Sequence, residues 1–404
     1  MPEDNGVVRR IAWREICPWL MIFRSFRLAI SLPVLSLATL GWLLTPLGPM
    51  IGGALFLEVH DNPQWLPAIQ GIEELSSDGN SVNSSLLLSL PNPVLHVYRH
   101  FTTPFIQIFD RGNTINETAY HVTCGLWNIV VWALFAGAIT RITAVRLGRD
   151  ERVDLRSAFS YAVKQYCWSG MAPLFPLFGV LLAGAAISLL GAFMRLDLGV
   201  AVAGVLWPVV LVGGLIMAVL LLGLAAGWPL MWPTISSEEH GDAFEAFSRS
   251  FSYVFQRPLH YLFYSVVALV FGGLCWVLVS AFANALIELC WFAVNWGAGA
   301  ERVDAITHYT DQTGMLWLGG GLMHWFNSLV RLIVVAFNFS FFFCIATAIY
   351  LLLRRAVDQT DFDEVYLEDH GRFSLPPLDA NVPRSGAEPS ASAAGSTATP
   401  EHES

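Results

Sequence analysis

Six stretches of about twenty apolar residues constrain this chain more than any other feature. They lie near 28–46, 122–140, 170–193, 200–223, 260–284 and 327–353. Each is long enough to cross about 30 Å of hydrocarbon as an α-helix. Backbone amides in that medium need internal partners, which selects helices for stretches of this kind. Composition agrees: 55% of the residues are hydrophobic and 13% charged, against roughly a quarter charged in soluble domains. The expected fold is all-α, a polytopic helical bundle of about six spans in contact with a lipid bilayer.

Arginine and lysine beside the spans set the orientation. Five arginines precede the first span, and Arg141, Arg146, Arg149, Arg152, Arg156 and Lys164 follow the second. Arg249 and Arg257 precede the fifth, and Arg354 and Arg355 follow the sixth. With the tail, 17 of the 22 basic residues fall on one side. This predicts a multi-pass protein of the cytoplasmic membrane with both termini in the cytoplasm. The first span follows its arginines without a small-residue cleavage pattern and reads as an uncleaved anchor. The expected organisation is an amphipathic segment over 1–27 and a membrane domain over 28–355. Within the latter lie an outer loop at 47–121 and an interfacial segment at 288–326. An acidic, Pro/Ala/Ser-rich tail over 356–404 is too polar to bury a core and is expected to be disordered. That tail carries most of the net charge of −10. No basic face suited to nucleic acid is present.

The membrane domain reads as three units, each an amphipathic connector followed by two spans. Arg24-Ser25-Phe26 with Pro33 returns as Arg249-Ser250-Phe251 with Pro258. Asp154 with Ala158-Phe159-Ser160 returns as Asp242 with Ala246-Phe247-Ser248. In the third connector, Phe244, Phe247, Phe251 and Phe255 make an apolar stripe at helical spacing. Ser236 and Glu239 have capping-box spacing, and Pro258 is expected to end the helix. In the second, Leu155, Phe159, Ala162 and Tyr166 oppose Arg152, Arg156, Ser160 and Lys164. Helices of this kind lie in the headgroup plane, and membrane or cytoplasmic protein partners at the connectors are expected.

Chemistry is sparse. Span six carries His324, Asn327, Arg331 and Asn338 on one helix face, and ionisable groups inside a membrane point to function. Asn284 and Glu288, four apart near the outer end of span five, can supply a partner carboxylate for Arg331. One reading is a polar path or substrate site opening outward. The other, which leads, is hydrogen bonding between helices with an arginine reaching the interface. His96 and His100 stand four apart in the outer loop and offer two positions of a metal site with His121 or Asp110. An interfacial amphipathic segment is the stronger reading there. Trp228-Pro229 and Trp232-Pro233 read as an interfacial helix break, with a transporter hinge as the alternative. The six cysteines read as packing residues, with a Cys124–Cys290 disulfide as the alternative. Gly319-Gly320-Gly321 lacks the strand–helix setting of a phosphate loop, and no cofactor is expected.

The run Pro229-Leu230-Met231-Trp232-Pro233, then Ser237-Glu238, Asp242-Ala243, Ser248-Arg249-Ser250-Phe251-Ser252-Tyr253-Val254 and Arg257-Pro258, has a family likeness. It resembles bacterial multi-span proteins of unknown activity related to the membrane domain attached to some glycerophosphodiester phosphodiesterases. The resemblance covers about residues 123–355 and implies a place in envelope or lipid handling. No counterpart of the soluble phosphodiesterase domain is present, so no catalytic residue is carried over. The third connector is also similar to the coupling loop of ATP-driven importers through Glu245-Ala246 and the later proline. It has Phe247-Ser248-Arg249 where that pattern has a glycine. The expected function is a non-enzymatic envelope or transport-associated membrane component. The alternatives are a permease with a polar path along the sixth span and an outer-face enzyme.

Overall fold

The computed structural model describes residues 17–57, 92–110, 112–239, 241–308, 310 and 313–366. These form helices α1 (Met21–Ala29), α2 (Leu32–Leu44), α3 (Leu47–Phe56), α4 (Pro93–Gln107), α5 (Ile115–Gly148) and α6 (Leu155–Lys164). They continue with α7 (Tyr166–Phe193), α8 (Asp197–Ser237), α9 (Ala243–Gln256), α10 (Pro258–Ala298), α11 (Ala300–Thr307) and α12 (Met315–Asp358). No strand occurs among the described residues. Six helical stretches are long and apolar enough to cross a membrane, namely α2–α3, α5, α7, α8, α10 and α12. They fall in the six expected places. Helices α8 and α10 have 41 residues and α12 has 44. At about 1.5 Å per residue each runs to about 60 Å, twice the hydrocarbon thickness.

The three units close into a ring. Connectors α1, α6 and α9 precede the spans α2–α3, α7 and α10, and each unit ends in a long helix, α5, α8 or α12. Connector α6 packs back on α5, α9 packs back on α8, and α1 closes the circle on α12. Small residues meet at each contact. Ser25 Oγ donates to the Cys344 carbonyl at 3.4 Å. A Cβ placed on Gly137 would lie 3.5 Å from that of Ala162, and one on Gly227 would lie 3.5 Å from that of Ser250. The C-terminal halves of α5, α8 and α12 gather in the middle. Every residue from Val334 to Arg354 is buried, so this part of α12 is a core helix with no lipid-facing side. The most apolar stretch of α8 is the opposite, with 6% of its residues buried in the protein, so it faces lipid.

Helix α4 enters the bundle beside α10 and runs outward between α5, α8 and α12. Asn92 caps it, accepting from Val94 N at 2.9 Å and donating to the Leu269 carbonyl at 2.7 Å. Val97 and Phe101 are 0% and 5% exposed. The segment read as interfacial is therefore inserted, because Phe101 has Trp132, Trp228, Trp232 and Phe343 to pack against.

Proline inside a helix frees the carbonyl four residues earlier, and three such carbonyls find side-chain donors on neighbouring helices. Pro229 frees Ala225, which accepts from Tyr98 Oη at 3.0 Å. Pro173 frees Ser169, which accepts from Trp232 Nε1 at 2.9 Å. Pro104 frees His100, which Asn128 Nδ2 approaches at 3.5 Å. Helix α8 runs unbroken through both Trp-Pro pairs. The expected interfacial break does not occur.

The connectors also differ from their sequence reading. Helix α9 buries Ala243, Ala246, Ser250, Tyr253 and Val254, while Phe244 and Phe255 are 60% and 46% exposed. Its phenylalanine stripe runs along the hairpin of α7 and α8, where Phe247 meets Phe175. A Cβ on Gly223 would fall 2.2 Å from Phe251, so only glycine leaves room for that ring. The N-cap of α9 is Asp242, accepting from Glu245 N at 2.6 Å, and Ser236 lies buried inside α8. Pro258 does open the next helix. All six cysteines are free thiols, and Cys124, Cys275 and Cys344 are buried. The chain stays packed beyond residue 356, with Phe362 and Val365 buried. The rest of the tail, and most of the loop at 47–121, lie outside the described residues.

Replacing Tyr98 with Phe leaves the Ala225 carbonyl unpaired in an apolar wall. We expect a loss of about 1–3 kcal/mol, read as a lowered thermal midpoint in detergent, with the helical content unchanged below the transition.

Candidate functional site

Four of the residues singled out in spans five and six come together. Glu288 of α10 and His324, Asn327 and Arg331 of α12 line one cleft of about 370 Å³. Trp291 of α10 and Thr307 of α11 complete its polar and aromatic wall. The juxtaposition follows from geometry: spacings of three and four hold the α12 residues on one face, and α10 and α11 fold over that face. The cleft thus presents a cation, a carboxylate, an imidazole and an amide within one volume. Such a set can hold a small polar or zwitterionic group.

The other two residues are elsewhere. Asn284 is exposed and does not line the cleft. Asn338 lies seven residues beyond Arg331, inside the core, at 2% exposure and with Oδ1 unpartnered. Between them the chain becomes continuously buried from Val334. The polar face therefore ends in packed side chains.

His96 and His100 sit in an aromatic niche against Trp42 and Phe339. Among the described residues no third His, Cys, Asp or Glu joins them. His96 Nδ1 and His100 Nε2 are buried without partners, as suits neutral rings used for packing.

A second polar cluster, at the end of the bundle where the basic residues gather, had no sequence signal beyond the positive charges. Helix α8 ends inside the protein, where its last carbonyls need donors. Thr234 accepts from Glu238 N at 3.2 Å and Ser237 from Tyr366 N at 3.0 Å. Ile235 accepts from Tyr161 Oη at 3.0 Å and Ser236 from Arg141 Nη1 at 2.8 Å. Arg141 is 3% exposed, lies 4.1 Å over the Tyr161 ring, and places a cation at the negative end of the helix dipole.

Glu238 gathers the next layer. Its Oε1 accepts from Tyr350 Oη at 2.9 Å and lies 3.1 Å from Arg249 Nη1. It also lies 3.0 Å from Arg354 Nε, as an ion pair off the axis of that N–H. Arg249 pairs with Glu245 at 2.7 Å as well, and Arg354 donates to the Glu364 carbonyl at 3.1 Å. Tyr253 donates to Asp358. Burial and that hydrogen bond push the Tyr253 phenol well above its usual value. Burial lowers the Arg249 pKa, but the opposing carboxylates, Glu238 foremost, outweigh it and hold the guanidinium charged. The cluster ties α8, α9, α12 and the start of the tail together.

The chain matches no family model, no curated protein and no solved structure.

Two outcomes follow from these geometries. Glu238→Ala strips the carboxylate from a nearly buried Arg354 and is expected to cost about 3–5 kcal/mol. The double replacement Glu238→Leu with Arg354→Met is expected to be milder, and denaturation in detergent distinguishes the two. In the cleft, a cysteine at position 327 is expected to react with a membrane-impermeant maleimide added from the side opposite the basic end. A cysteine at 338 is expected to stay unlabelled, as read by gel shift.

Proposed function

We propose that the chain is a non-enzymatic, envelope- or transport-associated component of the cytoplasmic membrane, with both ends in the cytoplasm, that presents its connector helices to a partner. One observation carries this reading: α6 and α9 each have three faces. One face packs on the bundle, through Ala158, Tyr161 and Ala162 in α6 and through Ala246 and Ser250 in α9. An apolar stripe lies beside the bilayer-facing helices. A polar edge with Arg156 and Ser160 in α6, preceded by Arg152, and with Ser248 in α9 is left exposed at the same end of the molecule. That third face takes no part in packing the bundle and is open to a partner. The distribution of arginine supports the orientation. The resemblance of residues 123–355 to the membrane domain of glycerophosphodiester phosphodiesterase relatives supports a place in envelope or lipid handling.

A permease is the second reading, favoured by the cleft of Glu288, His324, Asn327 and Arg331. The buried run from Val334 to Arg354 weighs against it, because a path would have to pass tightly packed Phe337, Phe339, Phe341 and Phe343, each 0–1% exposed.

Photo-crosslinking residues placed at 156 and 248 in cells test the first reading, with the lipid-facing position 215 as control. Discrete adducts at 156 and 248 that are missing at 215 are expected. An identical pattern at all three positions would remove the proposed partner surface.

A further inference from the structure

A second cavity, of about 330 Å³, lies between α4, α5, α7 and α8. Its floor is Phe101, Trp228 and Trp232, which are 5%, 8% and 2% exposed. Its rim includes Ile106 and Phe109, which are 67% and 60% exposed, so the cavity is not sealed.

Three of the four polar side chains in its wall are already committed. Tyr98 Oη donates to the Ala225 carbonyl and Thr102 Oγ1 to the Tyr98 carbonyl at 2.8 Å. Trp232 Nε1 donates to Ser169. Trp228 Nε1 has no partner but is itself fully covered. A water here would find too few of the partners it requires. Left empty, the cavity would forfeit contact energy in proportion to its volume. An apolar filling is the remaining solution.

The surroundings identify the filling. Leu177 and Leu221 of the wall belong to α7 and α8, whose most apolar stretches are 11% and 6% buried and meet lipid. Leu177 and Leu221 are only partly buried, so the cavity borders that flank. Phe175 and Gly223, two residues from Leu177 and Leu221, lie against Phe247 and Phe251 of α9. An amphipathic helix rests at the boundary of headgroups and acyl chains. The cavity therefore lies just inside the hydrocarbon of the leaflet at the basic end.

We propose that this cavity holds one acyl chain of a phospholipid drawn from that leaflet. The inference needs only the membrane location and stands whether or not the connectors have a protein partner. Trp228 is a built-in reporter, since it lines the cavity yet is shielded from bulk lipid.

The full-length protein is reconstituted in phosphatidylcholine nanodiscs whose acyl chains are either native or brominated at mid-chain. The emission of Trp228 is isolated as the difference between wild type and Trp228→Phe. Bromine quenches indole only near contact, so the brominated lipid is expected to remove most of this difference emission. Ala225→Phe, which keeps the carbonyl that Tyr98 needs but fills the cavity, is expected to restore it at an unchanged thermal midpoint. Equal Trp228 emission in both lipids overturns the proposal without recourse to the filling variant. Quenching that persists unchanged in a folded Ala225→Phe protein overturns it as well, and Leu221→Phe gives the same comparison should Ala225→Phe not fold.

Discussion

The C-terminus of α8 stops inside the protein, and most of the basic end follows from that. A buried carbonyl without a donor costs about as much as a lost hydrogen bond. Four helix-terminal carbonyls, from Thr234 to Ser237, must therefore be met where water does not reach. Tyr161 of one connector, Arg141 of α5 and the amide of Tyr366 beyond α12 supply three of the donors. The chain closes the fourth through Glu238. Each donor comes from a different part of the sequence, so α8 can end there only when all of them are in place. Glu238, the first residue after this terminus, then draws Arg249, Tyr350 and Arg354 onto its carboxylate.

Prolines raise the same problem higher in the bundle, and the solution is again a donor lent by a neighbour. Ala225 and Ser169 are freed on adjacent helices, and Tyr98 and Trp232 satisfy them. The aromatic residues of α4 and α8 thus serve twice, as bulk in the core and as hydrogen-bond donors at its edge. This explains how α7 and α8 continue through Pro173 and Pro229 without breaking. It also explains why the inserted helix α4 is held at this depth, tied to α10 by Asn92 and to α8 by Tyr98.

The six spans and the boundary at Pro258 were legible because periodicity and proline chemistry are local. The three-unit layout was legible because short matches such as Arg24-Ser25-Phe26 and Arg249-Ser250-Phe251 occupy equivalent places. What escaped was pairing at long range. Nothing around Tyr98 marks Ala225, 127 residues away, as its acceptor, and nothing around Arg141 marks the end of α8. The face of α9 was misread for a different reason. Phenylalanine dominates any hydrophobicity pattern, whereas the surface that packs is the smooth one of Ala243, Ala246 and Ser250. In a membrane, close approach of small residues favours packing and large apolar groups are equally at home in lipid. Within the candidate cleft, the α12 members were readable from spacing and Glu288 from its register in α10. Asn338 shares their face, but spacing carries no information on where the core begins.

Helix α12 consequently has two characters along one face. Its first half carries His324, Asn327 and Arg331 into an open cleft, and its second half is sheathed on all sides. A substrate path needs alternating access on both sides of a site, and here one side is filled by the most tightly buried residues of the protein. Opening it would mean separating α12 from α1, α2, α4 and α5 at once, against stacked contacts such as Trp132 on Phe339 at 4.4 Å. The cleft is better suited to receiving a group than to passing one. The lipid-facing hairpin of α7 and α8 and the exposed connector edges lie outside that core, whose helices are held by contacts on every side.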